Sequence, residues 1–176
     1  MEIEKLLLLL SDGKYKSGVF LAESLKVSRT TIWKALNDLS ETMGIEIETV
    51  KGKGYRIKGG LALLDRQAIR EELQRRVSGK DVALKFFSTT GSTNETLMSG
   101  ADSWKEEAYQ VVLAEMQTAG RGRRGKAWVS PFAKNIYMSI GFVFEEDVAR
   151  LEGLSLVVGS IVADVLVKHC LLYTSP

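Results

Sequence analysis

Val27-Ser28-Arg29-Thr30-Thr31-Ile32-Trp33-Lys34-Ala35-Leu36-Asn37-Asp38-Leu39, with Lys51-Gly52-Lys53-Gly54-Tyr55 further along, decides how the front of this chain is read. Ser28 suits a helix N-cap, because its side-chain oxygen can accept from the free amides of a first turn. Ile32, Leu36 and Leu39 then share one helix face with Ala35 beside them, while Arg29 and Trp33 flank it. Thr30, Lys34 and Asn37 point the other way, so the helix pairs a burying face with a polar one.

Outward from that helix, two more precede it. Glu2–Leu10 is a short apolar helix stopped by Ser11-Asp12-Gly13, and Val19–Leu25 is the second. After Gly44, the strand-like runs Ile45–Val50 and Tyr55–Lys58 flank a glycine turn whose lysines make its tip basic. Three helices with a polar third one and a basic hairpin make a winged helix-turn-helix, in which the third helix enters the DNA major groove. Lys34 and Asn37 can reach base edges, while Arg29, Thr30, Lys51 and Lys53 suit phosphates. The alternative is a protein–protein module whose exposed helix face is simply solvated.

Bulk properties constrain the rest. The chain has 176 residues, a net charge of +2 and one cysteine, Cys170. Residues 1–60 hold 10 Lys and Arg against 8 Asp and Glu, and the remaining 14 of each sign cancel. Any DNA contact therefore depends on local placement of charge rather than on a global field. One Cys and one His, His169, exclude a Cys/His zinc site, so no metal site is expected, and they fit a reducing, cytoplasmic setting. Leu6–Leu10 is too short for a signal peptide and follows Glu2 and Glu4, where basic residues would be expected. No stretch approaches a membrane span.

Gly59-Gly60 marks a boundary, giving a DNA-binding domain over 1–60, a linker over 61–80 and a second domain over 81–176. The linker contains a helix over Asp65–Val77 with Ile69 and Leu73 on one face. Beyond it come an Ala83–Phe87 strand, a helical turn or two at Asn94–Met98 and a Val111–Ala114 strand. Ile136, Met138, Ile140, Phe142 and Phe144 then alternate along a further strand, and Leu154–Lys168 is an apolar helix. The expected class is α+β, with a winged helix-turn-helix followed by a mixed-sheet α/β domain.

Gly120-Arg121-Gly122-Arg123-Arg124-Gly125 fits G-x-G-x-x-G, and with Lys126 it nearly fits a P-loop, but Ala127 stands at the hydroxyl position. Both nucleotide motifs need a helix directly afterwards, and Trp128-Val129-Ser130-Pro131 follows instead. A disordered RNA-binding arginine–glycine tract would be longer and repetitive. The better reading is a lid that folds over a ligand. Its arginines would offset repulsion when a carboxylate meets a phosphate, and its closure would exclude water from a reactive acyl-adenylate.

Gly91-Ser92-Thr93-Asn94 reads by itself as a helix N-cap. Taken with Glu115-Met116-Gln117-Thr118-Ala119-Gly120-Arg121 and Trp128-Val129-Ser130-Pro131-Phe132, it resembles the catalytic domain of biotin–protein ligases. The front part resembles the DNA-binding domain of the bifunctional members, which also repress biotin genes. The resemblance implies that Ser92, Thr93, Asn94 and Gln117 line a biotin pocket. It also implies that Gly120, Arg121, Gly122 and Arg123 order over biotin and its adenylate, Arg121 and Arg123 being the catalytic pair. Trp128 packs against the ligand or serves as a core residue. The implied chemistry consumes ATP with Mg2+, makes biotinyl-adenylate, and passes biotin to a lysine of a biotin carboxyl-carrier protein. Operator DNA and a homodimer formed in the adenylate-bound state are the other implied partners, with no membrane.

The resemblance also implies a Lys-Trp-Pro-Asn-Asp segment and a small β-barrel that are not found in residues 1–176. His169–Pro176 matches nothing expected there, so the reading is a truncated or misassembled end, with a genuine short variant as the alternative. On the first reading the parent is an active ligase and these residues alone are not. Two other functions remain open at this point: a biotin-responsive DNA-binding regulator without catalysis, and a lipoate ligase, against which the winged domain and the arginine loop argue.

Overall fold

The computed structural model describes residues 3–77, 79, 81–105, 108–122, 124, 126–144 and 151–169. It divides into two compact units, residues 1–143 and 144–176.

The first unit begins with α1 (Ile3–Leu10), α2 (Gly18–Leu25) and α3 (Arg29–Met43). Serines start both later helices: Ser17 Oγ accepts from Phe20 N and Ser28 Oγ from Thr31 N, each at 3.1 Å. Lys26, at φ 53°, turns the chain between α2 and α3, and the next amide, Val27 N, closes back on Ala22 O at 2.9 Å. Leu6, Leu7 and Leu10 of α1, Leu21 of α2, and Ile32, Leu36 and Leu39 of α3 are all buried in one cluster. The α3 face read from the sequence is therefore the packed face.

β1 (Ile47–Val50) and β2 (Gly54–Ile57) pair antiparallel, with Ile47 opposite Ile57 and Val50 opposite Gly54. Lys16 adds a third rung, exchanging backbone bonds with Tyr55 at 2.8 and 2.9 Å. This contact explains Gly54. Its φ is +101°, and a Cβ there would lie 2.1 Å from Lys16 O. The segment between α1 and α2 is thus tied to the hairpin next to its turn, with Lys51 and Lys53 left exposed.

Asp65 caps α4 (Arg66–Arg76), accepting from Gln67 N at 3.1 Å and Ala68 N at 2.9 Å. A three-stranded sheet follows in the order β3 (Asp81–Phe87), β4 (Ala108–Ala114), β5 (Tyr137–Gly141). β3 and β4 are parallel and β4 and β5 antiparallel, so the sheet is mixed, as expected. The parallel pair needs a crossover, which α5 (Thr93–Met98) and a 3-10 turn at Ala101–Ser103 provide. α5 packs on β4 and β5.

The last strand is shorter than its alternating sequence suggests. Tyr137 and Gly141 are buried on the α5 side, where a Cβ on Gly141 would lie 2.3 Å from the Trp104 ring. Met138 and Ile140 of the expected apolar set are exposed on the other face, and Ile136, Phe142 and Phe144 lie outside the strand. The second unit contains α6 (Leu154–Lys168), with the bounds read from its sequence.

Residues far apart in sequence share the helical core. Phe132 and Ala133 are buried in the same cluster as Leu10 and Ile32. Glu115, only 6% exposed, accepts from Leu64 N at 2.8 Å, while its own carbonyl accepts from Ala133 N at 2.9 Å. Burial holds its carboxyl above the usual range for a glutamate. Glu4 of α1 accepts from Arg66 at 2.7 Å and from Ser88 Oγ at 2.6 Å. The 61–66 segment is therefore fastened on both sides.

Candidate ligand site and helix–wing surface

The ends of β3 and β4 run side by side beyond the regular ladder, through a parallel bridge between Thr90 and Gln117. That bridge sets Gln117 against the start of α5. Gln117 Oε1 accepts from Thr93 N at 2.8 Å and from Thr93 Oγ1 at 3.1 Å, and its Nε2 donates to Ser130 Oγ at 3.5 Å. Thr93 Oγ1 also lies 2.9 Å from Ser139 Oγ on β5. Ser92 is the N-cap of α5, with Glu95 N donating to its Oγ at 3.4 Å. A strand end, a helix start and a neighbouring strand thus converge on one group of amide and hydroxyl side chains. Such groups recognise a neutral, multiply hydrogen-bonding ligand.

The arginine loop closes one side. Gly122 N donates to Lys126 O at 2.7 Å and Trp128 N to Gly120 O at 3.0 Å, so the segment doubles back as a small hairpin. The next regular element after it among the described residues is the strand β5, not a helix. Gly120 sits where a Cβ would come within 3.0 Å of Ser130 Oγ and 3.2 Å of Gln117 Nε2, so the loop leaves the site through a gap only glycine fits comfortably. Arg121 Nη2 lies 2.8 Å from Glu95 Oε1. Ser92, Thr93, Asn94, Gln117, Arg121 and Trp128, together with Glu95, surround a cavity of about 350 Å3.

A model of an HTH domain matches residues 2–56, and a model described as Biotin/lipoate A/B protein ligase family matches residues 86–171. Relatives named "Bifunctional ligase/repressor BirA" are similar to most of this chain. That of Salmonella typhimurium (strain LT2) is 39% identical over 163 residues, covering 93% of this chain and 48% of the relative. That of Escherichia coli (strain K12) is 38% identical over 164 residues, again 93% and 48%. That of Bacillus subtilis (strain 168) is 33% identical over 128 residues, 73% of this chain and 38% of the relative. The chain spans about half the length of the first two.

Within the ligase-family region, the structure brings together most of the residues singled out in the sequence. Trp128 is 61% exposed and lines the cavity. Gly122 is near the same ring, a Cβ there lying 3.4 Å from Trp128 Cε3. Arg123 lies outside the described residues. Three contributors escaped the sequence reading. Ser130 lay within a quoted motif but carried no assigned role, and Ser139 is concealed in an apolar alternating run. Glu95 directly follows Ser92-Thr93-Asn94, and its position in the first turn of α5 was the available signal. Among the described residues, no group of three or more His, Cys, Asp or Glu side chains is placed to hold a metal ion.

On the HTH region, Arg29, Thr30, Lys34 and Asn37 of α3 and Lys51 and Lys53 of the hairpin tip are all exposed. Trp33, on the same helix, is 52% exposed. A polar cluster steadies the hairpin: Tyr15 Oη donates to Glu48 Oε2 at 3.0 Å and Arg56 Nε donates to the same oxygen at 2.7 Å. The Arg56 guanidinium lies 4.6 Å from the Tyr15 ring centre and the Lys53 ammonium 5.9 Å. The Arg56 hydrogen bond, then that of Tyr15, hold the Glu48 carboxyl below its usual range. No helix among the described residues is long and apolar enough to cross a membrane.

Proposed function

We propose that this chain is part of a cytoplasmic biotin–protein ligase that also represses transcription of biotin genes. The supporting observation is the Thr93–Gln117 pair beside Arg121 around one cavity, in a region of the ligase family, behind an HTH region with an exposed basic face. The relatives that share both regions are named for ligase and repressor activity.

In this reading, Ser92, Thr93, Asn94 and Gln117 hydrogen-bond the urea-like head group of biotin, and Trp128 covers its apolar part. The biotin carboxylate attacks the α-phosphorus of ATP, which enters with Mg2+, forming biotinyl-adenylate and releasing pyrophosphate. A lysine amine of the carboxyl-carrier protein then attacks the acyl carbon and AMP leaves. Arg121, with Arg123, reduces the repulsion between the two anions and stabilises the charge on the phosphorane-like transition state. Gly120 and Gly122 allow the loop to close and exclude water from the adenylate.

Residues 1–60 bind operator DNA, with Lys34 and Asn37 at base edges and Arg29, Thr30, Lys51 and Lys53 at phosphates. Adenylate occupancy promotes a homodimer that matches a two-fold operator. The test combines two assays on the protein that contains this chain: ATP- and biotin-dependent labelling of a carboxyl-carrier domain, and a mobility shift on biotin-operon promoter DNA. Labelling that falls at least about a hundred-fold in Arg121→Ala, a loss of about 2.7 kcal/mol of transition-state stabilisation, is the expected result. DNA binding without any labelling would replace the ligase reading with that of a regulator alone.

A further inference from the structure

The Arg121–Glu95 contact has an unusual position for an ion pair: it lies inside the wall of the candidate biotin cavity. Glu95 is fixed there by its helix. It occupies the first turn of α5, immediately after Ser92, Thr93 and Asn94, and its own amide is capped by Ser92. Arg121, on the glycine–arginine loop, reaches it at 2.8 Å. One guanidinium nitrogen, Nη2, is therefore already engaged by a carboxylate. A ligand carboxylate approaching Arg121 meets a partly offset positive charge and must compete with Glu95 for that donor.

We propose that Glu95 is an affinity-setting residue that stands in for the ligand's carboxylate, holding Arg121 until biotin displaces it. The proposal rests on the biotin-site reading above and adds a regulator of that site. The side chains of Arg121 and Glu95 are 75% and 50% exposed, so the pair is weak enough to exchange.

Isothermal titration of the protein that contains this chain with biotin, and with the uncharged biotin amide, separates the alternatives. Glu95→Gln removes the competing charge and keeps the side-chain shape. It is expected to bind biotin roughly two- to five-fold more tightly than the unmodified chain, the size of a partly exposed ion pair, and to bind the amide with unchanged affinity. In an Arg121→Ala background the same substitution should give no gain. Weaker or unchanged biotin binding by Glu95→Gln, or an equal gain for the amide, would overturn the competitor role. If neither ligand binds either protein, the biotin-site reading itself fails and takes this proposal with it.

Discussion

At the residue scale, Gln117 carries more of the site than its place in the sequence suggests. Its amide oxygen accepts from two donors of Thr93 and its amide nitrogen reaches Ser130, so one side chain joins the end of β4, the start of α5 and the segment after the loop. Replacing it with alanine leaves the Thr93 amide without its acceptor. The expected cost is about 1–3 kcal/mol of stability, from an unsatisfied half-buried donor. Biotin affinity should fall at least about ten-fold, because a polar pocket loses most when its partners are unpaired. Denaturant melts and calorimetric titration of Gln117→Ala check the two parts separately. An unchanged affinity with lowered stability would confine Gln117 to a structural role.

At the scale of elements, the polar helix depends on its cap and the hairpin on its polar cluster. Ser28 Oγ holds the first turn of α3, so Ser28→Ala should cost about 1 kcal/mol and lower the thermal midpoint. The same loss should loosen Arg29 and Thr30, which sit in that turn, and weaken DNA binding in a mobility shift. The hairpin carries a pH dependence of definite sign. Glu48 has a lowered folded pKa, caused first by its bond from Arg56 and then by that from Tyr15. Its contribution is therefore complete above the ordinary value of 4.5 and disappears as pH falls through the lower folded value. Proton exchange at the Tyr55 and Lys58 amides, followed from pH 6 downwards, should accelerate across that window, and Glu48→Gln should remove the inflection. Glu115 has the opposite sign. Burial raises its pKa, so it favours the fold more when protonated and less as pH rises through the raised value.

At the scale of the whole molecule, the HTH region and the ligase-family region share one core within residues 1–143. Phe132, just past the loop, is 2% exposed in the cluster that contains Leu6, Leu10, Ile32 and Leu36. Phe132→Ala should cost about 3–5 kcal/mol, and the loss should appear in the melting of the three-helix unit even though the mutation lies outside residues 1–60. Circular dichroism melts with an operator-binding assay would show it; an undisturbed DNA-binding unit would mean the two regions fold independently. Much of this protein was legible along the chain. The helix starts at Ser28 and Ser92 depend on side chains bonding to amides three residues away, and the face of α3 follows from its own period. The motif residues around Ser92, Gln117 and Arg121 were likewise visible, because their types already state the chemistry. What the sequence could not show were contacts between distant positions: Glu95 opposite Arg121, Ser139 behind Thr93, Glu115 on Leu64, and Phe132 in the helical core. The outward direction of Met138 and Ile140 belongs with them, since alternation fixes that a strand has two faces but only the packing of α5 and Trp104 selects which one is covered. Local bonding is written within a few residues and can be read there; long-range pairing is chosen by the packing of the folded chain.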